Sequence, residues 1–263
     1  MMAGQFADSF TSHQTYDLEA TDMLPTSNTG QVIRHKHYTL SYNEDHEQAE
    51  WVAYNLTEES LQIRNVPRAK RFNEDPLVNT KSAHHRDYTH SGYSRGHLAP
   101  AGDMAFDTEA MQESFYMSNM SPQIRAFNGG VWKELEETVR DWAYHNDDIY
   151  VVTGPVLTDK HIVKKIGKSS KVSVSDMFYK VILDYQEPEV KGIGFLLPHK
   201  LSERPLAEYA VTIDSVEKVT GIDFFSGVFK EGEEANLEGK MDIKAWKFSE
   251  KRYLLRVDKW NNQ

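Results

Sequence analysis

The stretch SGYSRGHLAPAGDM, from Ser91 to Met104, decides how the rest of the chain is interpreted. It combines three glycines and a proline with no regular apolar repeat, which predicts short strands joined by tight turns. Asp107 follows closely and can cap a short helix that runs to Phe115. We therefore expect a compact, irregular segment here, bounded by regular structure on both sides.

A stronger helix is predicted a short way downstream. Asn128 stands at the N-cap position before GGVWKELEETVRDWAYH, and asparagine is a favoured cap residue. Val131, Leu135, Val139 and Trp142 fall on one face of this helix. Such a stripe should pack on a sheet and leave the first turn of the helix free.

Strand patterns surround these elements. Aromatic and β-branched residues dominate five segments: HYTLSYN (His37 to Asn43), EWVAYNL (Glu50 to Leu56), IYVVTGPVL (Ile149 to Leu157), MFYKVILDY (Met177 to Tyr185) and GIGFLLP (Gly192 to Pro198). Between Thr57 and Thr89 the chain is polar and resembles a long functional loop. The pattern predicts one α+β domain over residues 34–263, with a central antiparallel sheet flanked by helices, and an N-terminal arm or tail over residues 1–33.

Composition limits the class of protein. Of 263 residues, 39% are apolar and 27% charged, a balance typical of a soluble globular protein, and we expect no membrane partner. Cysteine is absent, which excludes disulfides, thiolate metal sites and cysteine nucleophiles. The start MMAGQFADSFTSHQ lacks the basic and apolar stretches of a secretory signal, so the protein is either intracellular or exported after removal of a signal.

Charge is unevenly distributed along the chain. The formal net charge of −10 argues against binding to nucleic acid, because phosphate contacts need cations. Between Arg64 and His97, however, seven Lys or Arg stand against three acids. The stretch from Lys160 to Lys171 adds five lysines and no acid, and it fits a solvated surface at least as well as a contact with nucleic acid.

Three ordered motifs resemble the DNA/RNA non-specific endonucleases of the ββα-metal superfamily, the family that includes mitochondrial endonuclease G. They are SRGHLAPAGDM (Ser94 to Met104), FYMSNMSPQ (Phe115 to Gln123) and FNGGVWKELE (Phe127 to Glu136). The resemblance extends over nearly everything from about residue 33 to residue 226. It implies a ββα-metal active-site motif and sequence-non-specific hydrolysis of phosphodiester bonds in DNA and RNA.

The resemblance also assigns roles to individual residues. Phosphodiester hydrolysis needs a base for water, a cation on the non-bridging oxygens and help for the leaving oxygen. His97 matches the family base, and at its ordinary pKa of about 6.5 a histidine is largely neutral at pH 7. Asn128 matches the side chain that binds Mg²⁺, which Mn²⁺ or another divalent cation can replace. A role for Asn128 as helix cap alone is the structural alternative, and the two roles are compatible.

Four further residues match family site positions. Glu136 matches a glutamate that orients water on the metal, and Arg95 an arginine that stabilises transition-state charge. Asn119 matches an asparagine that supports the substrate or the histidine. Arg68 matches an upstream arginine in a pattern that RAKRFNED (Arg68 to Asp75) reproduces, and it is expected to contact substrate.

One position departs from the family. We expect Ser94, like Arg68, to contact substrate, but it stands where the family usually has aspartate, which puts the local orientation of the site in doubt. The competing hypothesis is a catalytically weakened homologue that only binds nucleic acid. A zinc hydrolase using His84, His85, His90 and His97 is disfavoured because their spacing forms no closed ligand set. The sequence leaves open whether the chain forms a homodimer.

Overall fold

The computed structural model describes residues 23–26, 30–63, 65–146, 148–186, 190–226, 228–229 and 232–262. Within them the chain forms a mixed fold around a seven-stranded sheet whose neighbouring strands are all antiparallel. In spatial order its strands are β1 (Gln31–Arg34), β2 (Thr39–Asn43), β3 (Gln48–Thr57), β6 (Asp148–Pro155), β9 (Met177–Asp184), β10 (Lys191–Pro198) and β11 (Ala210–Val211). This confirms the predicted α+β class with a central antiparallel sheet.

Both faces of the sheet are buried, because alternate side chains of each strand enter different apolar cores. On β3, Tyr54 and Leu56 belong to one core, while Trp51 and Ala53 belong to the other. A sheet covered on both sides needs apolar residues on both faces. That requirement explains why the strands have so few polar positions.

Seven α-helices accompany the sheet in the described residues. They are α1 (Glu58–Gln62), α2 (Thr108–Glu113), α3 (Arg125–Asn128), α4 (Val131–Asn146), α5 (Ile213–Thr220), α6 (Glu233–Glu238) and α7 (Glu250–Asp258). The apolar stripe of α4 is buried in the first core, as predicted. Helix α5 packs into the second core through Ile213 and Val216. The two helices therefore lie on opposite faces of the sheet.

Two small two-stranded sheets complete the architecture. Strands β4 (Ser94–His97) and β5 (Met120–Gln123) pair antiparallel, with His97 opposite Met120. Together with α4 they form the ββα arrangement that the motifs predicted. Strands β7 (Ile162–Ile166) and β8 (Val172–Ser175) form the second pair and include part of the lysine-rich stretch.

The structure corrects two predictions of local structure. Asn128 does not cap α4: it is the last residue of α3, and α4 begins at Val131 after two glycines. The polar segment after Thr57 is not all loop, because Thr57 caps α1 and Leu61 of that helix is buried in the first core. The buried side chain of Leu61 and the cap at Thr57 stabilise this helix although most of its residues are polar.

The N-terminal boundary at residue 33 stays a prediction. Residues 1–22 of the predicted arm lie outside the described residues. Strand β1 spans that boundary, and Met23 is buried in the second core. Among the described residues, every helix is too short or too polar to traverse a lipid bilayer.

Candidate functional site

A cleft of about 390 Å³ opens where β4, the turn after it and the start of α4 meet. It collects five of the seven residues predicted from the motifs: Arg68, Arg95, His97, Asn128 and Glu136. Its remaining lining residues are Pro100, Ala101, Gly102, Arg125, Gly129, Lys133 and Arg140. The cleft therefore places an imidazole, a carboxamide and a carboxylate within a strongly cationic wall.

The imidazole of His97 is held at the end of β4 by aromatic contacts. Its ring centre lies 4.7 Å from that of Phe115 and 5.9 Å from that of Phe72. The residue is 7% exposed, and among the described residues its Nε2 atom has no hydrogen-bond partner. A buried nitrogen without a hydrogen-bond partner is unusual and marks this ring as a functional candidate.

Burial, with the positive charge of Arg68 as a smaller cause, lowers the pKa of His97 to about 3. The sequence-based expectation of an ordinary value near 6.5 is therefore wrong. At this pKa the imidazole stays neutral throughout the mildly acidic range, so it can accept a proton, but it is a weaker base than a free histidine. Sequence alone could not show this, since the enclosing rings come from segments before and after β4.

The glycine before the histidine has a steric role. A Cβ atom at Gly96 would lie 2.2 Å from Oε1 of Gln123, on the paired strand β5. Real Cβ atoms do not approach that closely, so the side chain of Gln123 occupies the space that a larger residue would need. Gly96 thus permits the close crossing that fixes His97 at the cleft.

Asn119 does not line the cleft, but its side chain holds the backbone next to it. Its side chain is fully buried and makes three hydrogen bonds to the backbone. The Oδ1 atom accepts from the amide of Ala99 at 2.9 Å, while Nδ2 donates to the carbonyls of Ala99 at 3.0 Å and Ser114 at 2.8 Å. Asn119 therefore ties the turn that follows His97 to the end of α2.

The two predicted arginines are held differently. Arg95 donates from Nη2 to the carbonyl of His85 at 2.6 Å, and its guanidinium lies 5.1 Å from the ring centre of Phe72. The guanidinium of Arg68 lies 5.0 Å from the ring centre of Phe115, and the residue is exposed. Both cations therefore rest on the aromatic rings that enclose His97.

The Asn128 carboxamide is partly exposed in the cleft. Its backbone amide donates to the carbonyl of Ile124 at 3.0 Å, but its side chain has no hydrogen-bond partner among the described residues. The last turn of α3 and the following Gly129 hold the backbone in place. A rigid backbone with a free side-chain oxygen suits a cation ligand.

Glu136 interacts electrostatically with a buried charge network that the sequence motifs do not include. Arg140 pairs with Asp103 at 2.6 Å, and Tyr54 donates to the second oxygen of Asp103 at 2.8 Å. Lys180 is fully buried, and its Nζ atom lies 4.9 Å from the ring centre of Trp132 without a hydrogen-bond partner among the described residues.

These charges interact electrostatically with Glu136. Burial raises the pKa of Glu136, while the positive charges of Arg140 and Lys180 oppose that rise. Burial lowers the pKa of Lys180, and the negative charge of Glu136 opposes that change. Arg140 could have been found from its spacing four residues after Glu136 on one helix. Lys180 has no local signal, although it shares the strand face of Phe178 and Ile182 toward the first core.

Ser94 is not brought into the cleft. It pairs with Gln123 at the far end of β4, three residues from His97. The four histidines considered for zinc do not converge either: in the described part of the chain, no three of their nitrogens lie within 4.8 Å of one another. His84 instead accepts a hydrogen bond from the amide of Arg86.

A basic groove extends the cleft on the side of Arg95. It is lined by Lys70, Arg71, His84 and His85, together with Arg95 itself. Lys168, from the other lysine-rich stretch, lines a separate depression beside His90. Arg64, the first cation of the predicted patch, lies outside the described residues.

The chain is similar to several known nucleases. The family model described as DNA/RNA non-specific endonuclease matches residues 20–231. A nuclease of Syncephalastrum racemosum is 35% identical, over 78% of this chain and 72% of its own length. Nuclease C1 of Cunninghamella echinulata var. echinulata is 36% identical, over 73% of this chain and 82% of its own length.

A mitochondrial nuclease and a solved structure are also similar to this chain. The mitochondrial nuclease EXOG of Danio rerio is 33% identical over 74% of this chain, which spans 60% of that relative. Among solved structures, the crystal structure of the EndoG/EndoGI complex has a chain with a TM-score of 0.73 and 30% identity. That match covers 81% of this chain and 91% of the other.

Proposed function

The chain belongs to the DNA/RNA non-specific endonuclease family, and on that premise we propose that it is a Mg²⁺-dependent endonuclease with His97 as its general base. The proposed substrates are DNA and RNA of any sequence. One observation carries the proposal: the neutral imidazole of His97, with its unpaired Nε2 atom, shares a single cationic cleft with Asn128 and Glu136.

The donor set of the cleft fits a hard divalent cation. Asn128 offers a carboxamide oxygen and Glu136 a carboxylate, and neither has a hydrogen-bond partner among the described residues. Mg²⁺ is usually bound through few protein oxygens together with substrate phosphate and water. We assign Asn128 as the residue that holds it and Glu136 as the residue that orients water next to it. When bound, the ion neutralises charge on the non-bridging phosphate oxygens.

The remaining side chains act directly on the substrate. His97 accepts a proton from the attacking water, since its imidazole is neutral. Arg95 is held rigidly and donates to the phosphate as its charge grows in the transition state. Arg68, exposed beside the cleft, contacts the phosphate backbone of the strand. Asn119 positions the turn after His97.

Substrate breadth follows from the same groups. Cations and a base serve any phosphodiester, and contacts to phosphate carry no sequence information. The groove of Lys70, Arg71, His84, His85 and Arg95 extends those contacts along a strand. Ser94 lies outside the cleft, so its difference from the family residue leaves the reacting groups untouched. This supports the enzyme over a homologue that only binds nucleic acid.

The test is digestion of supercoiled plasmid, mixed-sequence linear duplex and single-stranded RNA, with Mg²⁺ and with excess chelator. We expect all three substrates to be degraded, the linear duplex to a smear, and all cleavage to stop with chelator. Binding without cleavage in Mg²⁺ or Mn²⁺ would contradict the proposal. Discrete fragments from the duplex would contradict its lack of sequence preference.

A further inference from the structure

Three carboxylates converge on the face of the sheet that lies opposite the cleft. Asp214 and Glu217 stand one turn apart on α5, and Glu238 ends α6. One oxygen from each residue lies within 4.8 Å of the others. Helix α5 packs on the second core, whereas the cleft lies beside α4 on the first. This cluster is therefore separate from the proposed nuclease site.

The innermost carboxylate of the cluster lacks a partner. Glu238 is only 6% exposed, and its Oε1 atom has no hydrogen bond within the described residues. Glu217 uses Oε1 to accept from the amide of Phe224 at 2.8 Å. A buried carboxylate oxygen normally has a donor or a cation beside it, because leaving it unpaired costs free energy.

The electrostatic surroundings of Glu238 are acidic. Burial is the main cause that raises the pKa of its carboxyl to about 8, and the negative charges of Glu217, Glu234, Asp223 and Asp214 add to it. Clustered carboxylates in proteins are stabilised either by keeping one carboxyl protonated or by binding a cation. The convergence of three oxygens from two helices favours the cation, since protonation alone requires no such geometry.

We propose that Asp214, Glu217 and Glu238 form a second divalent-cation site that prefers Ca²⁺ to Mg²⁺ and ties α5 to α6. Ca²⁺ accepts several carboxylates in flexible geometry and completes its shell with water and backbone oxygens, whereas Mg²⁺ seldom occupies a site built mainly of protein carboxylates. The role of this site is structural, and it does not depend on the nuclease proposal. Binding neutralises the acidic cluster and fixes α6 at the edge of the second core.

The test is thermal unfolding of the full chain after removal of metals, with CaCl₂ or MgCl₂ added. At Ca²⁺ far above its Kd we expect the Tm to rise by roughly 5 °C or more, and by less with Mg²⁺. Glu238→Gln should abolish the Ca²⁺ increment and raise the Tm without metal, because it removes a carboxyl whose pKa is higher in the folded than in the unfolded protein and which therefore destabilises the fold near neutral pH. If that variant does not fold, the exposed Asp214→Asn provides the same test of the increment.

Two control variants locate the effect. Glu233→Gln changes an exposed acid of the same helix outside the three, and it should keep the full Ca²⁺ increment. Asn128→Ala should also keep it, which separates this site from the cleft. An unaltered protein whose Tm ignores Ca²⁺ would overturn the proposal in favour of a protonated Glu238. A full increment in Glu238→Gln or Asp214→Asn would overturn it as well.

Discussion

Replacing Asn119 with alanine should destabilise the protein strongly, because its side chain serves three buried backbone groups. The change would leave the amide of Ala99 and the carbonyls of Ala99 and Ser114 unpaired in a fully buried place. Each lost pairing costs about 1 kcal/mol or somewhat more. We therefore expect the free energy of unfolding to fall by roughly 3 kcal/mol, a large part of the stability of an ordinary domain.

The assay is urea unfolding followed by far-ultraviolet circular dichroism, with the free energy extrapolated to water. Asn262→Ala is the matched control, since Asn262 is exposed and makes one hydrogen bond to the carbonyl of Asp258. That variant should change stability by less than about 0.5 kcal/mol. If Asn119→Ala also stays within about 1 kcal/mol of the unaltered protein, the reasoning from buried hydrogen bonds is refuted.

Three further predictions concern charge. Arg68→Glu should weaken DNA binding and flatten its salt dependence more than Lys168→Glu does, because Arg68 lines the cleft and Lys168 does not. The measurement is fluorescence titration with DNA at several salt concentrations. Equal losses of affinity in the two variants would show that the DNA-binding groove is assigned to the wrong surface. On acidification, activity should fall through Glu136 before His97, since burial raises the first pKa and lowers the second. Lys180→Met removes a charge that favours ionised Glu136, so that fall should move to higher pH in the pH–rate profile; an unmoved profile counts against the coupling.

Local signals allowed much of the fold to be predicted. Asp107 does cap a short helix, which ends at Glu113, and its side chain accepts from two amides of the first turn. Val131, Leu135, Val139 and Trp142 are buried, because a stripe at helical spacing has one way to meet a sheet. These features depend on neighbours within one or two turns. The order of the strands depends on pairings between segments distant in sequence, so it could not be predicted from local sequence patterns.

Two of the misses at the site have the same physical cause. The pKa of His97 depends on burial by rings from distant segments, and Lys180 on β9 interacts electrostatically with Glu136 on α4. Asparagine is a residue type favoured at helix N-caps, which is why Asn128 was predicted to cap α4. The two glycines that follow it separate α3, which ends at Asn128, from α4, which begins at Val131. Motif resemblance predicted which residues meet. The environment that decides their charge comes from tertiary contacts that spacing does not encode.

The division of roles between His97 and Asn128 is tested most directly by turnover of the two alanine variants across a range of Mg²⁺ concentrations. His97→Ala should lose about 10² to 10⁴-fold in kcat at every concentration, with DNA and metal binding nearly unchanged, because only proton transfer is removed. Asn128→Ala should lose both rate and metal affinity, and high Mg²⁺ should restore part of its activity. A folded, chelator-sensitive His97→Ala protein that cuts at close to the original rate would contradict His97 as the base.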